Sequence, residues 1–163
     1  MPKGQSIMAL HDFWIMEQDG VPRFCAALWD QRHCKQAVVR GYQGALAWLR
    51  PLYNLWERAA ERVPLPAAGA RVEHVFIAFA AFDLFDHQPE HMLGCIGELL
   101  TQAARMRASS AVLGLSAQHP VLDALQRRFH ARHYRTCIET VCWPGENAPA
   151  LDGRPPQPEA ALL

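Results

Sequence analysis

Three residues in the middle of the chain, His87, Glu90 and His91, stand in the order H-x-x-E-H. On one continuous helix that spacing offers two imidazoles to a zinc ion and sets a carboxylate over the metal-bound water. Pro89 stands inside the motif and argues against it. Proline suits the first helical turn and costs about 3 kcal/mol in a helix interior. Asp86 has the side chain of an N-cap, which puts His87, Gln88 and Pro89 in an opening turn. No third ligand is marked out, although His119, His130 and His133 lie downstream. The stretch therefore reads as a helix start with no metal. A helix start has chemistry of its own, since its unpaired N–H groups and partial positive charge suit a phosphate.

The other reactive side chains are scattered. His130 and His133 have i, i+3 spacing, but Arg127, Arg128, Arg132 and Arg135 surround them, which reads as a cationic helix end. The run RRFHARHYR interleaves basic and aromatic residues, which suits phosphate contact or a solvated helix face. The five cysteines are odd in number and include no C-x-x-C pair, so free thiols in a reducing compartment are expected. Cys137 and Cys142 would point to opposite faces of one strand. No G-x-S-x-G, Walker or dinucleotide fingerprint occurs, so hydrolase, NTPase and dehydrogenase chemistry has no support.

These residues need elements to hold them. Phe13 to Glu17 and Phe24 to Trp29 read as antiparallel strands around an Asp19-Gly20 turn. An amphipathic helix follows, with Leu46, Leu49, Tyr53, Leu55 and Trp56 at spacings of three and four, and Pro51 should kink or break it. Its apolar stripe either packs on this protein's own core or forms a lid or docking surface. PLPAAGA (64–70) is a linker by composition. RVEHVFIAFAAFDLF becomes nearly continuous apolar sequence, as for a central strand covered on both faces. A helix runs from Pro89 to about Arg107, SSAVLGLS is a short buried strand, and His119-Pro120 opens another helix. RTCIETVCW reads as a last strand. The order suits a parallel crossover from Val72 to Ser116. One mixed α/β (α+β) sheet with helices on both faces is expected. Residues 9–144 form the domain, with a helical insertion at about 35–63 and a disordered Pro/Ala-rich tail at 145–163.

From the opening hairpin to Trp143 the blocks ALWDQ (27–31), VVRGY (38–42), LRPLYNL (49–55), VLGLSAQHPVLDALQRRF (112–129) and YRTCIETVCWP (134–144) carry a resemblance. The chain resembles the C-terminal half of a bacterial group of putative acetyltransferases in the GNAT superfamily. The usual first strand and two helices of that fold have no counterpart here. The resemblance implies an acetyl-CoA-binding fold and transfer of an acetyl group from the thioester to an unknown amine acceptor. It implies that the strand Val75 to Phe82, with Phe79, Ala80, Ala81 and Phe82, hydrogen-bonds the pantetheine arm. It places the pyrophosphate at the following turn and helix start, near His87 and His91. That loop departs from the family's glycine-rich pattern. Asp83-Leu84-Phe85-Asp86-His87-Gln88-Pro89 has two carboxylates and no glycine, which makes it a degenerate phosphate loop. The family's catalytic tyrosine matches His130, with Tyr134 close behind, and Glu73 or Asp83 at the ends of the strand could serve as base. The alternative is a non-catalytic lobe that forms a homodimer or docks on an acetyltransferase partner.

Lysine plus arginine balance aspartate plus glutamate at 16 each, which argues against general affinity for nucleic acid or anionic membrane. No apolar run approaches the roughly 20 residues that span a bilayer. The N-terminus shows no signal-peptide pattern, so a cytoplasmic location is expected.

Overall fold

The computed structural model describes residues 8–60, 62–82, 89–129, 131–137, 143–145 and 159–162. β1 (Phe13–Gln18) and β2 (Val21–Trp29) form the opening hairpin. Asp19 and Gly20 both take positive φ, 53° and 74°, the conformation that a two-residue type I′ turn requires. β3 (His74–Phe82) pairs antiparallel with β2, and β4 (Ser110–Leu113) pairs parallel with β3, in the sheet order β1-β2-β3-β4. The parallel step is made through α2 (Pro89–Arg105), and α3 (Leu122–Phe129) follows β4. The mixed sheet and the parallel crossover agree with the sequence reading. Of the expected last strand RTCIETVCW (135–143), residues 138–142 lie outside the described ones, and residues 135–137 and Trp143 are in no strand.

One face of the sheet carries the main core. Phe24, Ala26 and Leu28 of β2 and Val75 and Ile77 of β3 pack against Met92, Ile96 and Leu99 of α2 and Leu125 of α3. The opposite face bears Phe76 and Ala78, covered by Met8, Trp29 and the segment containing Ala160 and Ala161. Helices were expected on both faces. Among the described residues, the helices that enter the core share one face, and short chain segments cover the other. Glu159–Leu162 therefore lies against the sheet, although it belongs to the Pro/Ala-rich tail.

The insertion supplies α1 (Ala45–Ala59), which runs through Pro51 without a break. Proline's fixed φ is compatible with a helix, and one lost backbone bond on a wet helix is tolerable. Its buried side chain is Glu57, while Trp48, Leu49, Leu52, Leu55 and Trp56 are exposed, so α1 adds nothing to the core. Polar contacts tether it. The Asn54 carboxamide donates to the Leu65 carbonyl (2.9 Å) and accepts from its N–H (2.8 Å), and the Tyr42 hydroxyl donates to the Pro66 carbonyl (2.7 Å).

Candidate functional site

β3 is the element around which the candidate residues gather, and its two ends differ. Only His74–Ile77 pair with β4, at Ser110–Leu113, while β3 itself continues to Phe82. From Ala78 onward, no strand lies on that side among the described residues. The unpaired edge offers backbone donors and acceptors at the carboxyl end of two parallel strands, where open α/β sheets place their ligands.

A bulge shapes this edge. Cys25 faces Ala81 and Ala27 faces Ala78, so Phe79 and Ala80 together oppose Ala26. Phe79 takes φ 53°, unusual for an aromatic residue. The extra residue inverts the alternation of side chains. Before it, odd positions Val75 and Ile77 face the helices; after it, even positions Ala80 and Phe82 do. Phe79 joins the second face, with its ring 6.3 Å from Trp29 and 6.1 Å from Phe13 in stacked arrangements. Its N–H donates to the Glu159 carboxylate at 2.5 Å.

At the far end of β3 the Phe82 ring meets Phe24 (5.3 Å) and the imidazole of His119 (5.1 Å, edge-on). His119 is buried in the turn between β4 and α3, and its Nδ1 accepts from the Val121 N–H at 3.3 Å. That bond leaves the proton of the neutral ring on Nε2. Burial pushes the imidazole below its usual range, so the neutral form is favoured. The sequence named His119 as a helix opener and possible ligand; its place beside Phe82 depends on a contact across the fold. Cys95 is half-buried on the same face with Sγ 3.1 Å from the Met16 sulfur, and burial pushes its thiol up, away from the reactive thiolate.

The N-terminal end of β3 carries Glu73. Its carboxylate meets the Arg32 guanidinium at 3.2 Å, and its carbonyl accepts from the Ser109 N–H and hydroxyl. Arg32 is the hub here. It donates from Nε and Nη2 to the two oxygens of Asp30, and also to the carbonyls of Met106 and Arg107 just past α2. A cation at those carbonyls complements the helix dipole. The Arg32 hydrogen bond holds the Asp30 carboxyl below the usual carboxylate range. A cavity of about 200 Å³ opens beside this network, lined by His33, Lys35, Arg71 and Glu73 among others.

The structure thus separates the residues that the sequence nominated. Phe79, Ala80, Ala81 and Phe82 share the free stretch of β3. Glu73 lies six positions before Phe79, roughly 20 Å away along a strand, and its carboxylate is engaged by Arg32. Tyr134 is 90% exposed in a segment without regular structure. In that segment Arg132 donates to the Tyr53 hydroxyl of α1 at 3.0 Å. His91 lies in the first turns of α2. His87, His130 and the loop 83–88 lie outside the described residues. No helix among the described residues is long and apolar enough to cross a membrane. No family model matches the chain, nor does any curated protein or solved structure.

Proposed function

We propose that the chain is an acetyl-CoA-binding module of the N-acetyltransferase type, in which the free stretch of β3 from Ala78 to Phe82 receives the pantetheine arm. One observation carries this reading: β3 outruns its parallel partner, so that among the described residues its bulged carboxyl end has no strand paired on that side. The arm has two amides, and an unpaired strand edge is the natural partner for amides. The thioester would then lie near the bulge, and the phosphates toward the start of α2, where the helix dipole favours an anion. Transfer is direct attack of an amine on the thioester carbon, with loss of the CoA thiolate. His119, kept neutral at this end of the sheet, is a candidate to exchange protons through Nε2. Isothermal titration of acetyl-CoA into the 163-residue chain tests the reading. Saturable one-to-one binding is expected, and no heat at millimolar ligand overturns it.

A second reading, a non-catalytic lobe that docks on a partner, is favoured by α1. Trp48, Leu49, Leu52 and Leu55 of α1 are exposed and, among the described residues, belong to no hydrophobic core cluster. A monodisperse monomer at high concentration, with no binding of an apolar dye, would contradict it.

A further inference from the structure

The proposed arm site already has an occupant. Glu159 lies over the bulge, where one carboxylate oxygen accepts from the Phe79 N–H and the other from the Ala161 N–H at 3.0 Å. Ala161 is 4% exposed and packs on Phe76 and Ala78. Its carbonyl accepts from the Gln31 carboxamide at 3.0 Å, in a buried contact. The fit is incomplete. Gln31 is 5% exposed and, among the described residues, its Oε1 has no hydrogen-bond partner, nor has the buried indole N–H of Trp29. An orphaned buried donor or acceptor is costly, and most are satisfied in a finished core. The short segment therefore supplies a carboxylate and one carbonyl to a site with a further donor and acceptor to fill. An extended ligand bearing amides has both groups.

We infer that Glu159–Leu162 is an intramolecular strap, which fills the β3 bulge and must leave before an amide-bearing ligand can use that edge. The identity of the competing ligand rests on the acetyl-CoA reading; the strap itself rests on the contacts above. Its release exposes the Phe79 N–H and frees Gln31 Nε2. With Oε1, the Gln31 carboxamide can then bind an amide at both its N–H and its carbonyl. Trp29 contributes a third polar group from the same face.

The test compares the unaltered chain with Glu159→Ala, which deletes both carboxylate contacts at a partly buried position. Hydrogen exchange at the Phe79 amide is expected to quicken at least about tenfold, the change that loss of one strong hydrogen bond gives. Acetyl-CoA affinity is expected to rise at least about fivefold, because a larger fraction of molecules is competent to bind. Unchanged exchange at Phe79 overturns the strap. Faster exchange with unchanged, measurable acetyl-CoA affinity overturns the competition and with it the inference. Faster exchange with no acetyl-CoA binding to either protein leaves the strap standing and removes the acetyl-CoA reading. Gln31→Leu supplies an independent check: it quickens exchange at the Ala161 and Phe79 amides if the carboxamide anchors the strap, and unaltered exchange contradicts that anchoring.

Discussion

Replacing Phe79 by glycine is expected to leave a more stable protein than replacing it by alanine, the reverse of the usual order in a strand. The ring is 42% exposed and stacks against Phe13 and Trp29. Either substitution loses that partly buried ring and its aromatic contacts, together about 2–3 kcal/mol. The backbone decides between them. At φ 53° an L-residue carries about 1–2 kcal/mol of steric cost, which glycine escapes and alanine does not. Glycine gives back about 0.5–1 kcal/mol through the larger entropy of its unfolded chain. About 0–1.5 kcal/mol remains in glycine's favour. Equilibrium urea unfolding measures it, provided that the slopes of the two variants agree. If Phe79→Ala is the more stable of the two, the left-handed conformation at Phe79 is wrong.

The Arg32 hub gives a second expectation: Arg32→Ala should cost about 2 kcal/mol in urea unfolding, because it orphans a half-buried Asp30 and releases the carbonyls beyond α2. Arg32→Lys should recover less than half of that, since an ammonium cannot reproduce the two-pronged contact. Asp30 is held low in the folded state. Its contribution is thus present above the ordinary carboxylate range and is lost as pH falls below about 4, a slope that Asp30→Asn should flatten. His119 is also lowered on folding, so it takes up its proton more readily when unfolded. Stability should decline as pH falls below about 6.5, and His119→Gln should remove that part of the pH profile. Finally, Trp48→Ala on α1 should change unfolding free energy by less than about 0.5 kcal/mol, because the side chain is 87% exposed. A larger loss would show that the helix is packed.

Local chemistry made much of this fold legible. The Asp19-Gly20 turn needed only two adjacent residues with positive φ, and the apolar face from Met92 to Ala103 followed from helical spacing. The bulge was not legible. No glycine marks Phe79, and a strand that changes parity in mid-run looks like uniform apolar sequence. α1 was open in the sequence, because its spacing suits a core helix and a docking surface alike, and its apolar side chains face solvent. Periodicity reports that an apolar face exists, and only the fold tells what covers it. The candidate site was half legible. Phe79 to Phe82 lie together because they are consecutive, whereas the Arg32 and Glu73 contact and the Gln31 and Ala161 contact join distant parts of the chain. No spacing rule reaches that far.

Hydrogen exchange across the chain, with and without saturating acetyl-CoA, tests the central claim most directly. The account predicts slower exchange at Phe79 to Phe82 and in the first turn of α2, with β1 unaffected. It also predicts faster exchange at Ala161 as the strap leaves. Binding that protects the Arg32 and Glu73 end of β3 instead, or that leaves residues 78–82 unchanged, would contradict it.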